Sequence, residues 1–282
     1  HDALPICGTI EIEGAGRHAT RLIVDRLTMG TGSVFCFAAN SGSYQFGGSV
    51  KNLYIISDTI DSQANWNAVY LYQQMEFELE EVGFVLGEGV VGGSGSIGLF
   101  GPGVDPYTRL GKTPDEVYRH SGAGDFALIG LALNNVLFQN FHTNINLGAM
   151  NSSVWNNVRM EGAQAKFLDL RLCSVIINQL EMENWAAVSG SRDWCEFQDC
   201  GITINHVYVE QTPPGVTGSS VFKIGPSGTN GQVLSNGLTI SNISPSWHEN
   251  GGAALVSASV AVVKLYDASF INTYGDKLIR GR

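Results

Sequence analysis

An all-β, single-stranded parallel β-helix of about ten coils is the fold this sequence predicts, and three observations carry that expectation. Four stretches, 131–138, 153–160, 175–182 and 202–209, share one pattern: apolar residues two apart, a polar pair opened by asparagine, then two more apolar residues two apart. That is strand, bend, strand. The residue after each asparagine falls at 135, 157, 179 and 206, so the copies recur every 22, 22 and 27 residues. Finally, 35 glycines against 8 prolines, with 44% hydrophobic residues, suit many short strands joined by tight turns.

Taken in order, the first strand pattern is the run from Gly8 to Ile12. The same register then fits Leu22/Val24/Leu27/Met29, Val50/Leu53/Ile55 and Phe77/Leu79/Val82/Phe84, and beyond the four full copies Leu238/Ile240/Ile243 and Val263/Leu265/Ala268/Phe270. One elongated domain over residues 1–282 is therefore expected. Its coil is right-handed by the general rule for parallel crossovers. Asn134, Asn156, Asn178 and Asn205 should stack at one corner, where an asparagine tolerates left-handed backbone and its amide can bond the copy above. Three irregular stretches, near 87–125, 185–199 and 211–234, read as protruding loops that wall a groove. Within the first, Thr113 as cap, Pro114 and Glu116 predict a short helix over 114–118.

The formal charge of −10 opposes nucleic acid and makes a strongly anionic polymer an awkward ligand unless a local basic groove exists. No run approaches the roughly 18 apolar residues of a membrane span, so neither nucleic acid nor membrane is an expected partner. Five cysteines without a disulfide-dense spacing favour reduced thiols, with Cys173 and Cys200 stacked as small buried residues. The spacing of Cys195, Cys200 and His206 matches no familiar zinc set, and no metal or cofactor is expected. His206 takes the second bend position and reads as a corner residue. Gly14-Ala15-Gly16 lacks the helix, lysine and serine of a phosphate loop. The chain opens without methionine and almost at once with a strand, so it is expected to be a fragment of a longer protein.

The chemistry is expected after the bend. There the first and third residues past the asparagine pair's second member face the core, so the second and fourth face solvent. The fourth positions read Ile56, Val85, Gln139, Glu161, Glu183, Glu210, Pro245, Ile271, and the second Tyr54, Gly83, Leu137, Arg159, Glu181, Tyr208, Ser244, Ser269. Carboxylates gather on three successive coils. At a spacing of about 4.8 Å a ladder of like charges is costly unless an arginine, a proton or a ligand offsets it. Carboxylates so held acquire separated pKa values, as acid and base catalysis of glycoside cleavage requires. Glu161, Glu181, Glu183 and Glu210 are the candidate catalytic residues. A diagonal pair such as Glu161 and Glu181 should stand about 7–8 Å apart, which favours inversion over retention. Arg159, Tyr208, Trp185 and Asp193 are candidate substrate contacts, the aromatics as platforms for sugar rings. The same glutamates also read as an ordinary solvated stripe, and Asp169 with Arg171 as a surface pair.

The stretch from Gly8 to Ile23 resembles the opening coil of the pectate-lyase-like right-handed β-helix superfamily, in the branch shared with bacteriophage tailspikes. Asn156 to Glu161 and Asn205 to Glu210 resemble its later coils. The resemblance implies a homotrimeric spike of a virion tail, or another extracellular protein, that binds and often cleaves bacterial surface polysaccharide with acidic pairs on the long face. Glu161, Glu181, Glu183 and Glu210 match such positions. A polysaccharide lyase using Arg159, His206 or Tyr208, and a non-catalytic adhesin, are the competing expectations.

Overall fold

The computed structural model describes residues 9–24, 33–38, 45–57, 67–86, 96–101, 128–184, 193–210, 220–225, 237–246, 254–258, 261–266 and 279–281. Among them there is no helix. The strands are β1 (Glu11–Glu13), β2 (Arg21–Val24), β3 (Ser33–Ala38), β4 (Gln45–Phe46), β5 (Ser49–Ser57), β6 (Asn67–Tyr72) and β7 (Gln74–Met75). They continue with β8 (Glu78–Val85), β9 (Ile97–Gly101), β10 (Leu128–Ile129), β11 (Ala132–Gln139), β12 (Thr143–Glu161), β13 (Lys166–Ile177) and β14 (Leu180–Glu183). The last are β15 (Asp193–Gln198), β16 (Gly201–Glu210), β17 (Ser220–Gly225), β18 (Gly237–Ser246), β19 (Ala254–Ala258), β20 (Val262–Leu265) and β21 (Ile279–Gly281).

Every pairing is parallel, and the pairings fall into three long rows and one short row of β4, β7, β10 and the Met150–Asn151 part of β12. The row before the bend joins β1, β5, β8, β11, β12, β13, β16, β18 and β20. The row after it joins β2 to the second halves of β5, β8, β11 and β12, then β14, β16 and β18. A third row runs β3, β6, β9, β12, β13, β15, β17, β19 and β21. A chain that visits three rows in turn and pairs each strand with its counterpart one repeat later is consistent with a parallel β-helix.

Inward positions of the three rows fill one core. Leu133, Trp155, Ile177 and Ile204 follow one another before the bend, and Val136, Val158, Leu180 and Val207 after it, all buried. Aromatic rings stack along the axis where the register superposes them, as Phe84 and Phe138 do at 5.3 Å and 10°. Cys173 and Cys200 are buried neighbours, the Cys173 amide donating to Cys200 Sγ at 3.4 Å. Cys195 is buried in the third row, between Leu168 and Phe222.

The corner carries two hydrogen-bonded ladders. Asn156 Nδ2 donates to Asn134 Oδ1 at 2.7 Å, Asn178 to Asn156 at 2.5 Å and Asn205 to Asn178 at 2.7 Å. Beside it Asn157 donates to Asn135 and Asn135 to Glu81 Oε1, each at 2.6 Å. The left-handed backbone expected at the first asparagine falls on the residue after it: Asn52, Glu81, Asn135 and Asn157 have φ of 57°, 52°, 54° and 54°. The first asparagine is still paired in its strand, so the turn comes one residue later.

Three other expectations are corrected. The stretches near 87–125, 185–199 and 211–234 contain β9, β15 and β17, which complete the third row; their buried residues are packed by the neighbouring coils, support that glycine- and polar-rich flanks hide from a reading of local pattern. Leu22 and Val24 pair with Ile55 and Ser57, after the bend. The strand before the bend is β1, because Gly14 to Thr20 form a compact turn there, tied by Gly14 N to Lys51 O at 2.9 Å and Gly16 N to Asn52 O at 3.1 Å. The residue opposite Glu210 is Ser246, with Pro245 opposite Val209, because the pairing keeps step residue by residue from Val207 and Ile243 onward. The helix expected at 114–118 lies outside the described residues.

Replacing Asn156 with alanine removes two rungs of the first ladder, and urea titration should show a loss of about 1–2 kcal/mol. At Asn157 glycine and valine both delete the amide, but valine should cost a further 1–2 kcal/mol or so because the backbone there is left-handed.

Candidate functional site

The row after the bend positions the acidic group. Its outward residues follow from the alternation that buries Val158, Met160, Leu180, Met182, Val207 and Val209. In consecutive strands Arg159 lies opposite Glu181 and Glu161 opposite Glu183, then Glu181 opposite Tyr208. The sequence-predicted residues Arg159, Glu161, Glu181, Glu183, Tyr208 and Glu210 therefore share one surface across three strands.

Arg159 is the hub. Its Nε stands 2.6 Å from Glu161 Oε1 and 3.9 Å from Glu181 Oε2, and its NH2 donates to Glu183 Oε2 at 2.8 Å. The carboxylates under it are more enclosed than an outward register suggests, Glu183 being 8% exposed. Burial raises the Glu161 pKa, with Arg159 opposing and Glu183 adding to the rise. Burial and a hydrogen bond with Glu183 push Glu181 up to about 7, although Arg159 pulls the other way. Arg159 is itself raised, since the three carboxylates outweigh the burial that opposes its charge. At the far side Tyr208 Oη donates to Glu210 Oε2 at 3.5 Å.

This arrangement supplies a carboxyl that keeps its proton to near neutrality, beside carboxylates held by a fixed cation. Two further residues were expected in this group. Trp185 lies outside the described residues. Asp193 stands in the third row on β15, where it accepts from Ser220 Oγ at 2.7 Å and faces Lys223 Nζ at 3.5 Å. It was expected just before a strand, lining the groove, but at residue 193 the chain is already in another row, on β15. There it belongs to a separate group. Lys166 bridges Asp169 at 2.9 Å and Glu196 at 2.5 Å, and Lys223 contacts Glu196 at 2.8 Å. Burial would raise the Glu196 pKa, but hydrogen bonds from the two lysines bring it down to about 2. Asp169, read as a surface partner of Arg171, is buried, with Arg171 Nε 3.7 Å away.

Sequence reasoning missed Arg17 and Arg21. Arg21 lies opposite Tyr54, at the upstream end of the column that leads through Gly83 and Leu137 to Arg159. Aligning β1 with the strand before the bend, and allowing an insertion at the turn, would have found them. Among the described residues no three His, Cys, Asp or Glu side chains converge to hold a metal, and no helix is long and apolar enough to cross a membrane.

No protein-family model and no curated protein matches the sequence. Among solved structures, the crystal structure of the tailspike protein gp49 from Pseudomonas phage LKA1 aligns with 99% of this chain at 9% identity and a TM-score of 0.32. The chain spans 50% of that protein's length.

Arg159→Met should lower stability by about 1–3 kcal/mol, because it strands carboxylates that are partly out of water. The loss should be larger at pH 8 than at pH 5, where Glu161 and Glu181 are more readily protonated. Glu181 binds its proton more tightly folded than unfolded, so its contribution is full below its ordinary value of 4.5 and is lost as pH rises through about 7. Glu181→Gln should therefore gain about 1–2 kcal/mol over the wild type at pH 8, after allowance for solvent screening, and little at pH 4. Thermal melts at the three pH values check both.

Proposed function

We propose that this chain binds and hydrolyses a bacterial surface polysaccharide as an endo-acting glycoside hydrolase, with Glu181 as general acid and Glu161 as general base. The observation that carries the reading is the pairing of a carboxyl protonated to about pH 7 with one held 2.6 Å from an arginine. A glycosidic oxygen needs a proton as its bond breaks, and Glu181 has one to give near neutral pH. Glu161 sits one strand away and two residues along, and because Arg159 Nε stands 2.6 Å from Glu161 Oε1 and 3.9 Å from Glu181 Oε2, the two carboxyls are drawn closer than the roughly 7–8 Å expected of a bare diagonal. Arg159 positions Glu161 and opposes the rise that burial imposes on its pKa. Tyr208 and Glu210 flank the pair, suited to hold a sugar ring and its hydroxyls.

The same reading takes the coil as right-handed and of about ten turns, and the protein as the homotrimeric spike of a virion tail. An adhesin is the second reading, and the observation in its favour is that Arg159 already satisfies both Glu161 and Glu183.

Incubation with a panel of bacterial surface polysaccharides should shorten one of them without new ultraviolet absorbance, which a lyase would produce. Glu181→Gln should lower kcat by about 10²–10⁴-fold, and the activity of the wild type should fall as pH rises through about 7, where Glu181 loses its proton. No shortening of any polymer favours the adhesin, and full activity in Glu181→Gln removes this glutamate as the acid.

A further inference from the structure

We infer that Arg17, Arg21 and Tyr54 form a subsite for a carboxylate-bearing sugar, upstream of the Glu161–Glu183 group on the same face. The inference rests on the reading of this face as a polysaccharide-binding surface and deepens it by naming the substrate class. Arg21, Tyr54, Gly83, Leu137, Arg159 and Glu181 are successive outward positions of one column. Gly83 has no side chain, and the Tyr54 ring fills its place: a Cβ there would come within 2.4 Å of the ring and 3.5 Å of Arg17 Nε. The ring thus lies against the strand as a floor, with the Arg17 guanidinium beside it.

Arg17 is incompletely used. Its Nε is buried without a hydrogen-bond partner, and its NH1 reaches only the Asn135 carbonyl, at 3.4 Å. Among the described residues neither Arg17 nor Arg21 has an acidic partner, whereas Arg159, Lys51, Lys166 and Lys223 each contact at least two carboxylates. A guanidinium whose donors are not all taken, with no acid of its own, suits a planar carboxylate. Tyr54 feels both charge groups: burial raises its pKa, Arg17 and Arg21 lower it, and Glu161 raises it.

The acidic group does not forbid this ligand. Gly83 lies two strands from Arg159, about 10 Å along the axis, and Arg21 four strands, about 19 Å. The screening length at physiological salt is about 8 Å, and Arg159 covers the nearer carboxylates. A singly charged carboxylate suits the place better than a doubly charged phosphate, given a net charge of −10. A polymer lying along the axis would then set an acidic sugar on Arg17 and the scissile bond two or more units downstream.

The test uses Glu181→Gln protein, so that bound polymer is not consumed, and a panel of uronate-containing bacterial polysaccharides, each beside its carboxyl-reduced form. Calorimetric titration should show at least one native polymer bound tenfold or more tighter than its reduced form. Arg17→Met should abolish that preference and Arg21→Met should reduce it, with thermal melts near those of the parent. Equal binding of both forms, no binding of either across the panel, or a preference that survives both substitutions overturns the inference. If Arg17→Met does not fold, the Arg21→Met result decides. Cleavage by the wild-type protein is scored separately: native-selective binding without shortening sinks the hydrolase reading alone, and shortening of neutral polymers only sinks this one.

Discussion

Everything in this molecule depends on each coil lying in parallel register on the one before it. A parallel strand leaves half its main-chain donors and acceptors to each neighbour, so a slip of one residue would break the ladder and turn the buried row outward. The two asparagine ladders guard against that slip at the sharpest point of the path. Asn134, Asn156, Asn178 and Asn205 bond side chain to side chain only when successive bends superpose. Asn135 and Asn157 combine the same bonding with the left-handed backbone that makes the bend.

The register also dictates the electrostatics. Stacking brings outward residues within about 5 Å of their counterparts, so what a charged residue becomes depends on what its neighbours are. In the third row the neighbours of Glu196 include Lys166 and Lys223, the charges alternate, and the carboxyl is held down to about 2. After the bend, glutamates neighbour glutamates around one arginine, and Glu181 rises to about 7. The spacing is common to both. Composition alone separates a satisfied ion cluster from a group with a proton to give.

An elongated face of this kind presents its residues as a line, one rung at a time, and that geometry suits a linear polymer. The column runs Arg21, Tyr54, Gly83, Leu137, Arg159, Glu181, Tyr208, with an arginine and an aromatic at its upstream end and its one carboxylate near the other. Under the proposed reading, such an order would let binding and chemistry occupy different rungs of one surface.

Much of this was legible in the chain. The period-two alternation on either side of Asn-containing bends determined the two rows that flank the bend, their buried residues and the neighbours of Glu161, because a strand offers only two faces and a stacked coil only one register. Residues far apart in number, such as Glu161 and Glu183, could thus be placed side by side from pattern alone. Only the tertiary structure decided the rest. It found the third row in β9, β15 and β17, whose local pattern is weak and whose support comes from the coils above and below. It moved Asp193 to another face, and it brought Arg17 across the turn onto Gly83. Those placements depend on the path between strands and on where a long side chain comes to rest, and neither leaves a periodic trace in sequence.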